Sequence, residues 1–292
     1  MKRSSIAIIG SGRLGRALAL SLRAAGYPIT EVVSRRSSLA ARSFAPLIGT
    51  GVTTNKTALL DADVVWFCVP DAQITIAARQ FSRGSWKGKI ALHSSGVLTS
   101  DVLLILKKQG ARVASVHPLM TFVKGHPPDL TGVSFAIEGD TAAVGVARGI
   151  VRKLGGKPIR IRARDKVAYH AFATMVCPLL ISLLAASERV AALAGISRTD
   201  ARRRMIPIIR QTIANYEKLG AAKSFTGPIV RGDVETVRRH LDVLTPVVDL
   251  RAVYKALVQS ALRNLPNRNS RGIRAVLSFP GTRSRAFNRE GR

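Results

Sequence analysis

The chain has little of what would tie it to several common protein classes. Only Cys68 and Cys177 are cysteines among its 292 residues, which excludes a disulfide scaffold and any all-cysteine zinc site. Aromatic residues are 5% of the total and acidic residues number 17. No stretch interleaves basic with aromatic residues and no zinc-finger spacing occurs, so the motifs of nucleic-acid recognition are missing. No apolar run is read as reaching the roughly 18 residues of a membrane span. Near the start, Gly10, Gly12 and Arg13 break what would otherwise pass for a secretion signal. The expectation is a cytoplasmic protein with no membrane association.

Positive charge is abundant instead. Lys and Arg number 46, giving a formal net charge of +29, while hydrophobic residues at 47% and charged residues at 22% give an ordinary globular composition. Arginine is spread along the whole chain, and residues 263–292 hold eight basic groups against one acidic. Charge dispersed in this way reads as a basic background. A nucleic acid is therefore a minor expectation. The length suggests two domains with a core each.

Residues 5–164 alternate strand-like and helix-like segments. The strand-like ones are Ser5 to Ile9, Ile29 to Ser34, Asp63 to Pro70, Lys89 to His93, Ala111 to Val116, Val133 to Glu138 and Ile159 to Arg164. DVVWFCVP is nearly all apolar, as a strand covered on both faces should be. Alternation of this kind predicts an α/β fold, a Rossmann doubly wound parallel sheet over 1–164. From Asp165 to residue 262 the pattern turns helical, with breaks at Gly195, Gly220, Gly227-Pro228 and Thr245-Pro246. Asp165 reads as the cap of one long helix that runs through Pro178. Residues 263–292 read as a mobile basic tail.

The strongest motif is Gly10-Ser11-Gly12-Arg13-Leu14-Gly15, which follows a strand and opens a helix. In that context the first glycine permits a tight turn, the second a close approach to a pyrophosphate, and the third helix-on-strand packing. The second strand ends in Ser34-Arg35-Arg36, where an NAD site would place a carboxylate for the ribose 2′-OH. A hydroxyl and guanidinium groups suit a 2′-phosphate, so NADP is the expected cofactor. Val69-Pro70-Asp71 and His93-Ser94-Ser95-Gly96 fall at the carboxyl ends of strands, the ligand edge of such a sheet. Val69, Pro70, Asp71, Ser94 and Ser95 are candidates to border the nicotinamide; a turn and a helix cap are the alternative reading. His117 is the histidine best placed for a substrate site, a structural hydrogen bond being the alternative, while His126 and His240 have no supporting context. Both cysteines read as packing residues.

Lys166 and His170 stand four apart, on one face of the helix that opens the second domain. Either is a candidate to give the proton that a carbonyl or imine needs when it is reduced by hydride; the alternative is a solvated lysine beside a partly buried histidine. Thr226 and Arg231, in TGPIVRGD, are candidates to hold an anionic group of a small substrate, and Asp233 to cap the next helix.

GSGRLG, SRR, FCVPD, HSSG, SVHPLMTF, KVAYHAFA and TGPIVRGD, in this order over about residues 4–262, resemble the oxidoreductases that join a Rossmann-like domain to a helical C-terminal domain of unknown function. These are relatives of pyrroline-5-carboxylate reductase, ketopantoate reductase and the 6-phosphogluconate dehydrogenase-like superfamily. The resemblance implies an NADP-binding domain and a helical domain that dimerises, so a homodimer is expected. It also implies a catalytic lysine followed four residues later by asparagine; Lys166 matches, and His170 stands in the asparagine's place. Cys177-Pro178 departs from the small polar residue and asparagine expected there. An NADP-dependent oxidoreductase follows as the expected function, and a catalytically silent NADP-binding sensor or scaffold is the alternative.

Overall fold

The computed structural model describes residues 3–35 and 44–278. The chain forms two compact units, one ending at Cys177 and the other starting at Pro178.

In the first unit, strands β1 (Ile6–Ile9), β2 (Ile29–Ser34), β3 (Val52–Thr54), β4 (Val64–Phe67), β5 (Ile90–His93), β6 (Arg112–Pro118), β7 (Ser134–Gly139) and β8 (Lys157–Arg160) form one sheet. Their order is β3-β2-β1-β4-β5-β6-β7-β8. With them come helices α1 (Arg13–Ala24), α2 (Ala45–Ile48), α3 (Asp71–Gln80), α4 (Leu104–Lys108), α5 (Thr141–Lys153) and α6 (Lys166–Val176). Every residue of β1 and β4 is buried, because apolar layers cover both faces. Leu18, Leu22, Phe135 and Ile150 belong to one layer, and Ile74, Ala78, Trp86 and Leu106 to the other. The doubly wound Rossmann-like sheet expected from the alternation is present. One pair departs from it: β6 and β7 are antiparallel. No helix lies between them, and a parallel neighbour would need such a crossover.

β1, β4, β5 and β6 run parallel. Their carboxyl ends therefore bring Gly10, Val69 to Asp71, Ser94 to Gly96 and His117 to one edge. β3, not expected from the sequence, has three half-buried residues at the end of the sheet, too short for an apolar run to mark it. The first unit also extends past the composition change at Asp165, because α6 begins with Lys166, which is completely buried. Asp165 occupies the cap position of α6 without accepting a hydrogen bond there; its carboxylate pairs with Arg162 at 2.5 Å.

The second unit is helical: α7 (Pro178–Leu193), α8 (Arg198–Ser224), α9 (Pro228–Arg231), α10 (Val234–Val243), α11 (Val248–Asn264) and α12 (Ser270–Ser278). Gly195, Gly220 and Gly227 adopt φ of +72°, +73° and +99° at the expected breaks, where only glycine is unstrained. Ser197 accepts from the Asp200 amide at 3.2 Å, and Asp233 from that of Thr236 at 3.0 Å, so both cap their helices. Three expectations are corrected. The single long helix through Pro178 is interrupted at Cys177, since proline lacks the amide and crowds the preceding turn. The tail is not tail from 263 onward: α11 runs to Asn264, and Ile273 and Leu277 of α12 are buried against Val237, Leu241, Val258 and Leu262. Their four-residue spacing was masked by the surrounding arginines; residues 279–292 lie outside the described residues. Finally, Ala163–Leu193 contains an 18-residue window of mean hydropathy 1.8, none of it buried. By length and composition that stretch passes for a membrane span, which the sequence reading had not allowed, although it is two helices broken at Cys177.

If α12 completes the core of the second unit, Ile273→Ala should cost about 2–5 kcal/mol, as for other buried aliphatic truncations. Urea denaturation measures it, and an unchanged midpoint would return α12 to the tail.

Candidate functional site

The site is built at the carboxyl edge of the sheet in the first unit. Gly10 leaves β1 with φ of +115°, and a side chain there would meet the Cys68 carbonyl at 2.5 Å. A β-carbon on Gly15 would lie 1.9 Å from the Gly10 carbonyl oxygen, so α1 packs directly on its own turn. Around Gly12 the opposite holds, with nothing within 4 Å of an added β-carbon. Gly12 is the N-cap of α1 and provides no side-chain cap. The first amides of the helix are thus left for an anion. Arg13 is exposed and Leu14 packs into the core. A cleft of about 480 Å³ runs beside this turn, lined among others by Ser11, Gly12, Arg13, Arg16 and Lys124. Crowding at Gly10 and Gly15 with space at Gly12 fits a dinucleotide pyrophosphate.

Ser34 ends β2, buried, with the Ser11 hydroxyl donating to it at 2.9 Å. Its hydroxyl therefore also ties the glycine turn to the neighbouring strand. Arg35 is exposed, and Arg36 lies outside the described residues. The carboxylate of β2, Glu31, is buried and satisfied by the Leu60 amide at 2.5 Å and the Thr53 hydroxyl at 2.7 Å. It holds β2 to its surroundings and is spent there. Among the described residues, Ser34 ends β2 and Arg35 follows it, and neither carries a carboxylate.

The His93-Ser94-Ser95-Gly96 turn is organised from within. His93 is fully buried; its Nδ1 accepts from the Ser95 amide at 3.1 Å, so its Nε2–H donates to the Thr99 carbonyl at 3.1 Å. Burial first, and then the Lys166 charge, push this imidazole down to about 3. The Ser94 hydroxyl accepts from Trp66 Nε1 at 2.8 Å, and the Ser95 hydroxyl from the Leu98 amide at 2.9 Å. Ser94 and Ser95 were expected to face a cofactor, but both hydroxyls are engaged inside the protein. Only the backbone of this turn is left to border a ligand.

Against this turn lies α6. Lys166 Nζ donates to the Ser95 carbonyl at 3.1 Å and to the Ser115 hydroxyl at 2.6 Å, and that hydroxyl donates to the same carbonyl at 3.2 Å. The lysine is 0% exposed, so the solvated alternative is excluded. Burial lowers its pKa, partly offset by the charges of Glu138 and Asp71. His117 is half-buried with Nδ1 3.2 Å from the Tyr169 hydroxyl, and its ring lies edge-on to that of His170 at 5.9 Å. A β-carbon at Gly96 would come within 2.4 Å of His170 and 2.9 Å of His117. Glycine is therefore the residue that lets both rings close on the turn. Burial, followed by the charges of Lys166 and His170, lowers His117 to about 4. Burial raises Tyr169 to about 12.

The structure thus brings Lys166, His170 and His117 together, with Ser94 and Ser95 behind them. Val69 is half-buried, and Pro70 and Asp71 are exposed at the head of α3. Thr226 and Arg231 belong to the second unit and are exposed. His126 is exposed, and His240 pairs with the Tyr254 hydroxyl at 2.9 Å. Cys68 is buried with its thiol pushed up to about 12, which leaves it inert, as expected. Sequence reasoning missed Tyr169 and Ser115. Tyr169 stands three residues after Lys166, so helical spacing alone placed it on the same face.

In the folded chain His93 and His117 take up protons only near pH 3 and 4, whereas an unfolded imidazole does so near 6.5. Between these values the unfolded state holds more protons, so stability should fall as pH drops from about 6.5 towards 4. Denaturation midpoints measured across this range should lose part of that slope in His117→Asn; an identical slope would contradict the assignment. Gly96→Ala should displace both rings and cost about 1–3 kcal/mol by overpacking.

Two family descriptions match the chain in tandem. "NADP oxidoreductase coenzyme F420-dependent" matches residues 5–93, and "Domain of unknown function (DUF2520)" residues 133–261. A Bacteroides fragilis crystal structure described as an NADP oxidoreductase superposes with a TM-score of 0.75 at 21% identity, covering 88% of this chain and 97% of that one. An imine reductase from Pseudomonas gives 0.63 at 18% identity, covering 94% and 100%. Both likenesses are of fold. A curated ketol-acid reductoisomerase (NAD(P)(+)) of Metallosphaera sedula is 39% identical over 82 residues, 27% of this chain. The chain spans only about a quarter of that relative's length, the match covering 23% of it. With the glycine turn and the eight-stranded sheet, the N-terminal part of the chain is thus similar to an NADP oxidoreductase domain and the C-terminal part to the DUF2520 domain.

Proposed function

We propose that the chain is an NADP-dependent oxidoreductase that transfers a hydride between the nicotinamide and a small anionic keto or imine substrate. The observation that most supports this reading is the sharing of one sheet edge by an anion-ready glycine turn and a cluster of proton-bearing groups. When bound, the nicotinamide supplies or accepts the hydride. Gly10 to Gly15 and the open amides of α1 hold the pyrophosphate. Ser34 and Arg35, with Arg36, meet the 2′-phosphate, since no carboxylate stands at the end of β2 to repel it. Val69, Pro70, Asp71 and the backbone of Ser94 and Ser95 border the ring. The Lys166, His117, Tyr169 and His170 cluster serves the proton that must reach the product oxygen or nitrogen. The anionic character of the substrate is the expectation carried by Arg231 in the TGPIVRGD motif of the sequence.

The same reading includes a homodimer through the helical unit. Leu179, Ile181, Ile208 and Tyr216 of α7 and α8 are 52%, 62%, 68% and 59% exposed. Burying such a side chain contributes about 1.5–3 kcal/mol, and a second copy of this chain offers the same apolar surface in return. A cytoplasmic location goes with it, both cysteines being free.

Titration with NADPH and NADH tests the cofactor. Arg35→Asp should weaken NADPH about tenfold or more and leave NADH unchanged; equal affinity for both, untouched by the substitution, would sink the NADP assignment. Binding without turnover of any keto acid or cyclic imine would favour the silent sensor. Light scattering should give a dimer that Ile181→Asp with Ile208→Asp converts to a monomer; partition of the wild type onto lipid vesicles instead would assign the apolar face to a membrane.

A further inference from the structure

Lys166, Tyr169 and His170 occupy one face of α6, at spacings of three and four residues. They meet the carboxyl edge of β5 and β6 in different ways. Both hydrogen bonds of Lys166 run inwards, to the Ser95 carbonyl and the Ser115 hydroxyl, and none of its surface is exposed. An ammonium held like this would have to break both bonds to reach a substrate. Tyr169, His117 and His170 are half-buried, so each keeps access to ligand or solvent. Tyr169 is joined to His117 through Nδ1 at 3.2 Å, which leaves Nε2 on the Gly96 side, where the His170 ring also lies.

We propose that Tyr169 is the proton donor of this site, with His117 as the relay behind it and Lys166 as a positioning residue. The inference rests on the oxidoreductase reading. As hydride reaches the carbon, the π pair of the C=N or C=O bond moves onto nitrogen or oxygen, which takes the phenolic proton of Tyr169. The Tyr169 oxygen recovers a proton from His117 Nδ1, and Nε2 takes one from His170 or water. One hydride from the reduced dinucleotide and one proton from solvent enter the product. The tyrosine and the imidazole end neutral, as they began.

The surroundings support each role. His117 is held near 4, so the ring is neutral at working pH and is able to give a proton at one nitrogen while taking one at the other. Tyr169, raised to about 12, keeps its proton until negative charge develops beside it. The groups facing His117 are Lys166, Tyr169 and His170 from α6 and His93 from β5. From β7 it is opposed by Ala136. The charges of Glu138 and Asp71 bear on Lys166.

The test has two arms on the full-length protein. Imidazole nitrogen NMR should show His117 neutral from pH 5.5 to 9, a changed Nδ1/Nε2 tautomer balance in Tyr169→Phe, and a pKa at least one unit higher in Lys166→Met. With NADPH and 1-pyrroline-2-carboxylate or pyruvate as probes, Tyr169→Phe should lower kcat about 100-fold with the KM for NADPH unchanged. Retained kcat in Tyr169→Phe, or a His117 that titrates above pH 6 or ignores the loss of the Tyr169 hydroxyl, would overturn the assignment. If the wild type consumes no NADPH with either probe, the oxidoreductase reading fails on its own account. The NMR arm still decides whether the Tyr169–His117 pair exists.

Discussion

A buried ammonium with two internal acceptors organises this molecule. Lys166 is the first residue of α6, yet none of it reaches solvent, and it binds the Ser95 carbonyl and the Ser115 hydroxyl. A buried charge without partners is costly, so the turn after β5 and the end of β6 must present those oxygens where the helix delivers the amine. His93 helps to meet that requirement. Its ring clamps the Ser95 amide and the Thr99 carbonyl, which fixes the backbone that Lys166 reads. The first compact unit therefore reaches Cys177, well past the last strand.

Burial first, and then this charge, set the electrostatics of the edge: the imidazoles of His93 and His117 lose affinity for protons and stay neutral. Neutral rings suit a place where negative charge is delivered and protons are handed on, because they give and accept without accumulating charge. The formal +29 of the whole chain has little part in this. Some of its guanidinium groups pair locally on the surface, as Arg238 and Arg239 do with Glu235. Pairs of that kind contribute little to stability.

Much of the fold was legible because it is written in local periodicity. β1 and β4 announce themselves by apolar runs, α1 by its glycine turn, α8 and α10 by Ser197 and Asp233 at their caps. The failures have physical causes. A three-residue edge strand such as β3 has no pattern to recognise. Proline at 178 outweighed a continuous apolar helix. Around Ile273 and Leu277, arginine composition outvoted a spacing that buries both residues. At the site, Lys166, His170 and His117 were legible by spacing and by position at a strand end, whereas Ser94 and Ser95 were assigned outward when their hydroxyls turn in.

The sequence by itself determined the glycine turn, the missing carboxylate at the end of β2, and the helical face shared by Lys166 and His170, since each depends only on residues near in the chain. Tertiary structure alone decided that Lys166 is sealed in, that Gly96 makes room for two imidazoles, and that Tyr169 meets His117 across 52 residues of chain. Such contacts arise when a helix closes on a strand edge. No local pattern encodes the distance between groups that folding brings together, nor the burial that then sets their protonation.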